Sequence, residues 1–343
     1  METQTITTLR QAVSGGRIEA LLHVQVESNA SKTTRDGKPY FELHLVDGAD
    51  RLKLCAWSDG PAYAACRQLA AGAFIEVQGE FAASPAFGID AKRWNLRELN
   101  SEERAALLAG PPEVRAFQDR EFESIRETVA GIRDPRLRGL SEFFLREFGD
   151  RFRRAAAARS NHHARRGGLV EHVAQMLRLA GAVASVDARL NRDLLLAGVL
   201  FHDCGKLWEN GLPADGFQMP FDERGELLGH ISIGIELVNQ LWRRLLGSET
   251  AADWEKLEPA SEDVRLHLLH LIAAHHGELQ FGSPVPPKTP EAWALHYVDN
   301  LDAKLEMMRV GYGTADRIAP RVQQRVWPLP GNLVEPLAVW NGE

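Results

Sequence analysis

Cysteine is scarce: Cys55, Cys66 and Cys204 are the three in 343 residues, too few and too scattered for the disulfide framework of a small secreted domain. Long hydrophobic runs are missing as well. No stretch approaches the roughly 20 apolar residues of a membrane span, so a membrane helix is excluded and no membrane partner is expected. The opening METQTITTLRQAVSGGRIEA lacks the apolar core of a secretory signal, which makes the cytoplasm the expected compartment. Positive charge is not in excess either: 40 Lys and Arg against 47 Asp and Glu leave a net charge of −7. That argues against wholesale coating of nucleic acid and leaves phosphate contacts to local basic surfaces. Neither a GxSxG elbow nor a Walker loop occurs, so a serine nucleophile of that type and a phosphate-cradling loop are both unsupported.

What is present reads as an α+β multidomain chain. Its length suits about two domains, each with its own core. Residues 17 to about 100 alternate apolar and polar in RIEALLHVQV, YFELHLVD, RLKLCAW, AFIEVQGEF and GIDAKRWNLREL, with PAYAACRQLAAG as a short helix between the third and fourth runs. Five strands with a helix in that position suit an N-terminal OB-type β-barrel over 1–105, a fold that binds oligonucleotides. Charged helical sequence over 106–160 reads as connecting helices. From 161 to 315 the period is helical throughout, which gives an all-α bundle, and 316–343 is a C-terminal extension.

The stretch AGVLFHDCGKLWE carries His202 and Asp203 out of an apolar run. A buried charge there costs several kcal/mol unless something compensates it. Other helices bring partners. His172 shares a stripe with Leu169, Val173, Met176, Leu177 and Ala180; His230 shares one with Leu227, Ile231, Gly234, Val238 and Leu241. A helix after Ser261 ends in AAHHG with His275 and His276, and one capped by Thr289 carries Asp299. The helix begun at Asn191 places Leu195, Val199, His202 and Lys206 at spacings of three and four. Six separate hydrogen-bond arrangements for His172, His202, Asp203, His230, His275 and Asp299 are a costlier explanation than one or two divalent ions that satisfy all of them. Imidazole with carboxylate suits a transition metal (Mn, Fe, Co, Ni or Zn) better than Mg or Ca.

This order of His, His-Asp, His, His and Asp resembles the HD-domain metal-dependent phosphohydrolases. With NHHARRGGLVEH, HDCGK, LLGHISIGIELV, AAHHGELQFGSPVPPKTPEA and LHYVDNLDAK, the chain is similar to the YhaM-type 3′→5′ exoribonucleases from about residue 17 to 310. The resemblance implies an OB-type domain before an HD domain and a divalent metal, Mn first among the candidates. It also implies the hydrolysis of single-stranded RNA, or ssDNA, from the 3′ end to 5′-mononucleotides. It puts His172, His202, Asp203 and Asp299 on one ion, and His230 and His275 on a second with Asp203 bridging. His276 is then a further ligand or a substrate contact. Lys206, one turn beyond His202, would reach a bound phosphate.

For the substrate, RFRRAAAARSNHHARRGG sets six arginines and no acid just before His172, a candidate phosphate track ending in Arg165 and Arg166. His162 and His163 match the family motif and should lie near the active site. On the barrel, Phe41, Leu43 and Leu45 facing inward turn Tyr40 and His44 outward, and the same alternation turns Arg51, Lys53 and Trp57 outward, a mixture single-strand binding uses. A homo-oligomer is compatible with all of this. Two other readings remain: a nucleotide or cyclic-nucleotide phosphohydrolase, and a non-catalytic RNA-binding protein whose metal only staples the helices.

Overall fold

The computed structural model describes residues 3–48, 50–84, 88–160 and 162–340. It divides into two compact units, one of Met1–Phe117 with Leu212–Pro220, the other of Gln118–Gly211 with Phe221–Glu343.

The first unit runs β1 (Thr3–Gln4), α1 (Ile6–Val13), β2 (Ile18–Thr33), β3 (Pro39–Val46), β4 (Arg51–Trp57), α2 (Tyr63–Cys66), β5 (Phe74–Ser84), β6 (Gly88–Glu98) and α3 (Ser101–Ala109). Its sheet has the order β4-β3-β2-β5-β6, antiparallel throughout, with β1 added in parallel to β2. The expectation of a five-stranded OB-type barrel is met in part, by an N-terminal sheet that contains the five expected strands. A sixth strand is present, too short for any alternation to reveal, and among the described residues no ladder joins β4 to β6. Alternation sorts the faces as anticipated. Leu43, Leu45, Leu52, Leu54 and Ala56 are buried with Leu22, Val24, Ile75, Val77 and Phe81, and α1 adds Ile6 and Leu9. On the opposite face Tyr40 pairs with Trp57 and His44 with Lys53, and the Tyr40 and Trp57 rings lie 4.9 Å apart. That face is not purely basic, because Lys32 Nζ meets Glu42 Oε1 at 2.6 Å between them. The segment 212–220 is tied to this unit by hydrogen bonds between side chains and backbone. Phe217 N donates to Gln25 Oε1 at 2.7 Å, and Gln218 Nε2 donates to the Val26 and Glu27 carbonyls at 3.0 and 2.8 Å.

α4 (Pro112–Ala130) leads into the second unit, which holds α5 (Pro135–Phe152), α6 (Gly168–Val186), α7 (Arg192–Phe201), α8 (Lys206–Glu209), α9 (Glu223–Leu246), α10 (Ser261–Ala274) and α11 (Pro290–Thr314). One apolar core joins them, with Phe144 and Phe152 of α5, Leu169, Val173 and Met176 of α6, Leu195 and Val199 of α7, Leu241 and Trp242 of α9 and Leu271 of α10. α5 is thus part of the bundle rather than a connection, since its apolar stripe has no other place to be buried. Two periodicity readings are corrected. The helix capped by Asn191 stops at Phe201 with His202 at its C-terminus, so Lys206 opens a separate turn, α8. α9 is broken at Gly229, φ 68°, a left-handed conformation that glycine adopts freely; Leu227, before the break, is exposed. Thr289 caps α11 as anticipated, with Pro290 at its first position. After α11, β7 (Arg317–Ala319), β8 (Val322–Gln323) and β9 (Leu333–Val334) form a small antiparallel sheet that packs Leu329 and Leu333 on Met307. No described helix is long and apolar enough to cross a membrane.

Candidate metal centre

The six expected ligands come together around Asp203, which is 1% exposed. Its Oδ2 lies 3.2 Å from His202 Nε2 and 3.7 Å from His172 Nε2. Its Oδ1 lies 3.5 Å from His230 Nε2 and 3.7 Å from His275 Nε2. Asp299 Oδ1 closes the first set, 3.4 Å from His172 Nε2. His276 joins His230 and His275 in the second, where their ligand atoms lie within 4.8 Å of one another, as do those of His172, His202 and Asp203. Helix ends build the arrangement. His202 and Asp203 follow the last turn of α7, His275 and His276 follow that of α10, and His230 restarts α9 after the Gly229 break. Gly205 makes the approach possible: a Cβ there would sit 1.9 Å from the His230 carbonyl oxygen.

The histidine tautomers are fixed by their neighbours. Each ring turns Nδ1 to an oxygen that accepts: His202 to Val199 O at 2.7 Å, His275 to Ile272 O at 2.8 Å, His276 to Phe281 O at 2.6 Å, His172 to Asp302 Oδ2 at 2.6 Å. His230 Nδ1 faces Glu209 Oε2 at 2.7 Å. The proton therefore sits on Nδ1, and five Nε2 lone pairs are left to converge. Two of them, on His172 and His202, are 3.3 Å apart, a repulsive pairing unless a cation lies between. Asp203 Oδ1, His230 Nε2 and His275 Nε2 are buried without a hydrogen-bond partner, each a cost of about 1–3 kcal/mol. Burial, then the charges of His202 and His276, hold the His275 imidazole well below its ordinary pKa, which keeps it neutral and able to ligate. A divalent transition metal fits this donor set. Cys204 is no ligand: its Sγ turns to Gly234 O at 3.8 Å and burial pushes its thiol pKa up.

Lys206 reaches back from α8 with Nζ 2.7 Å from Asp203 Oδ2. His162 stands beside the centre, its ring 6.1 Å from that of His172, and burial followed by the Lys206 charge lowers it to about 4. Several of the other residues read as substrate contacts have partners within the protein. His163 and Arg165 point inward: His163 Nε2 meets Asp302 Oδ2 at 3.2 Å, and Arg165 pairs with Glu171 and, at 2.8 Å, with Glu306. Arg151 donates to Leu207 O at 2.6 Å, Arg159 donates to Glu209 O at 2.8 Å and Arg153 pairs with Asp119. Four of the six arginines of this segment are thus already engaged by acceptors within the protein. Arg166 is half-buried, and burial lowers its pKa. Lys53 and Trp57 lie on β4 of the first unit.

Sequence reasoning missed Asp302, Glu209, Glu171 and Glu306. The signal for the first was available: Asp302 follows Asp299 by three residues on one helix, and Glu306 follows Asp302 by four.

A helical unit with this ligand order is an HD domain, and residues 169–304 match the family model of that description, a span that holds every expected ligand. Over nearly its full length the chain is 31% identical to the 3′-5′ exoribonuclease YhaM of Bacillus subtilis (strain 168), covering 91% of this chain and 90% of that protein. It is 31% identical to the YhaM of Bacillus velezensis (90% and 88% covered) and 30% identical to that of Bacillus pumilus (84% and 85% covered). The chain belongs to the YhaM family.

Proposed function

We propose that the protein is a divalent-metal-dependent 3′-5′ exoribonuclease that degrades single-stranded RNA to 5′-mononucleotides. The observation that carries this reading is the convergence of four Nε2 atoms, those of His172, His202, His230 and His275, on the two oxygens of Asp203, in a chain of this family. His172, His202, Asp203 and Asp299 would hold one ion, and His230, His275 and His276 a second that shares Asp203. Manganese is the first candidate. A divalent ion held there supplies charge stabilisation to phosphoryl oxygens and activates water near neutral pH. The chain's own groups do the rest. Lys206 is placed to meet a phosphate brought against Asp203, and His162, neutral above about pH 5, can donate or accept a hydrogen bond to the terminal nucleotide. The first unit is read as OB-type, with Tyr40, Trp57, His44 and Lys53 offering stacking and charge to a single strand, and ssDNA as a second substrate. A cytoplasmic location and a homo-oligomer fit this reading.

The test uses protein stripped with chelator, reloaded with Mn²⁺ and given 5′-labelled linear RNA and a circle of the same sequence. Metal-dependent release of mononucleotides from the linear strand alone is the expected result. A circle cut as fast as the line would make it an endonuclease, and turnover of cyclic dinucleotides with RNA untouched would make it a nucleotide phosphohydrolase.

A further inference from the structure

Behind His172 lies a layer of charge that the reading above does not use. Asp302 is 0% exposed and its Oδ2 accepts from two imidazoles, His172 Nδ1 at 2.6 Å and His163 Nε2 at 3.2 Å. His163 Nδ1 in turn faces Glu171 Oε2 at 3.7 Å and Glu306 Oε1 at 3.9 Å. Arg165 bridges those two carboxylates, and Gln118 Nε2 donates to Glu171 Oε1 at 2.8 Å. Buried charge at this density costs several kcal/mol per ion unless every group is paired. Its presence therefore needs a reason beyond stability.

We propose that Asp302 is a positioning residue for the metal ligand His172, and that His163, Glu171 and Arg165 form the clamp that holds Asp302 in that position. The inference rests on the metal-centre reading and assigns His163 and Arg165 to the metal rather than to RNA. Three of the five site histidines rest on neutral backbone carbonyls. His172 rests on a carboxylate, which fixes the ring plane, forces the proton onto Nδ1 and increases electron density at Nε2 toward a cation. A carboxylate with nothing behind it could swing away or turn its charge directly to the ion. His163 prevents both by occupying the same oxygen from the other side. The backbone records the constraint independently. His163 is one of two described non-glycine residues with positive φ, at 47°, a conformation such residues adopt uncommonly. Its carbonyl oxygen lies so close to Gly168 that a Cβ there would meet it at 2.0 Å. That turn aims the His163 ring inward at Asp302.

The experiment compares the full-length wild type with Asp302→Asn and His163→Gln. Each is stripped with chelator and titrated with Mn²⁺ calorimetrically and with Co²⁺ by its visible absorption. Asp302→Asn, which keeps shape and removes charge, should weaken Mn²⁺ binding about 10–100-fold and alter the Co²⁺ spectrum. His163→Gln should weaken it by a smaller factor while leaving RNA binding by the metal-free protein unchanged. Apo melting temperatures within a few degrees of wild type exclude a folding defect, and if Asp302→Asn does not fold, His163→Gln carries the test alone. Wild-type Mn²⁺ affinity in folded Asp302→Asn overturns the positioning role. Loss of RNA affinity without loss of Mn²⁺ affinity in His163→Gln overturns the clamp. A wild type that takes up no metal overturns the metal-centre reading itself, a result distinct from either.

Discussion

The two oxygens of Asp203 face unlike sets of histidines. On the Oδ2 side, His172 sits in the second turn of α6 and His202 at the end of α7, both with no exposed surface, and Asp302 stands behind the first. On the Oδ1 side, His230 follows the Gly229 break, His275 and His276 occupy the turn before Gly277, and the carboxylate behind His230 is Glu209, on the short helix α8. Each half uses one buried helix-end histidine, His202 or His275, but the first adds His172, buried within α6, whereas the second adds the partly exposed His230 and His276, set beside the left-handed Gly229 and Gly277. Packed cores resist small displacements and helix ends yield to them, so the first half should hold its ion tightly and the second should exchange.

Removing the shared ligand tests whether the halves are joined. Asp203→Ala should reduce Mn²⁺-dependent RNA hydrolysis by ~10²-fold or more and abolish binding of both ions, because each half loses its carboxylate at once. Retention of one tightly bound ion by elemental analysis would break the picture of a bridging residue. Next comes the contrast itself. His172→Ala should leave no tightly bound metal, whereas His230→Ala should keep about one ion per chain and lose the weaker, as calorimetric stoichiometry reports; equal losses would remove the asymmetry. A smaller effect is expected from Gly205→Ala, whose added methyl group displaces His230. Overpacking of this kind costs about 1–3 kcal/mol, and here it should lower the affinity of the second ion while sparing the first. Smallest at neutral pH is the acid response of the clamp. Burial would raise the Glu171 carboxyl, but the facing His163 imidazole and the Arg165 guanidinium outweigh it and hold it down to about 2, from an ordinary value of 4.5. A depressed folded-state value contributes stability that is complete above about 4.5 and is lost as pH falls toward about 2. Wild-type apo protein should therefore lose melting temperature over that window faster than Glu171→Gln, and parallel curves would show that Glu171 is not coupled to folding.

The architecture was legible where residue pattern and structure share a period. Alternation placed the strands and their faces, and Asn191, Thr289 and Pro290 marked helix starts that the structure keeps. The clustering of His172, His202, Asp203, His230, His275 and Asp299 could be anticipated because histidine on an apolar stripe is expensive and each instance demanded a partner. What failed was helical phase past a break. Periodicity carried His202 through to Lys206 and Leu227 through to His230, although a turn and a left-handed glycine intervene; a sum of spacings contains no information about where a helix stops. The arginine segment misled for a different reason. Composition reports charge and not its partners, and the acids that take up Arg165, Glu171 and Glu306, lie 6 and 141 residues away.

The segment 212–220 gives the chain an unusual modularity. The backbone passes from one unit to the other between residues 117 and 118, returns between 211 and 212, and leaves again between 220 and 221. A single cut in the gene therefore cannot lift the sheet unit away intact. Deleting residues 1 to about 105 strips Gln25 from Phe217 and the Val26 and Glu27 carbonyls from Gln218, and leaves an apolar loop inserted between α8 and α9, only a few residues from Lys206 and Glu209. Any exchange of the sheet unit by recombination would have to carry two separate pieces of sequence together, so the two units are expected to evolve as a pair rather than as interchangeable parts.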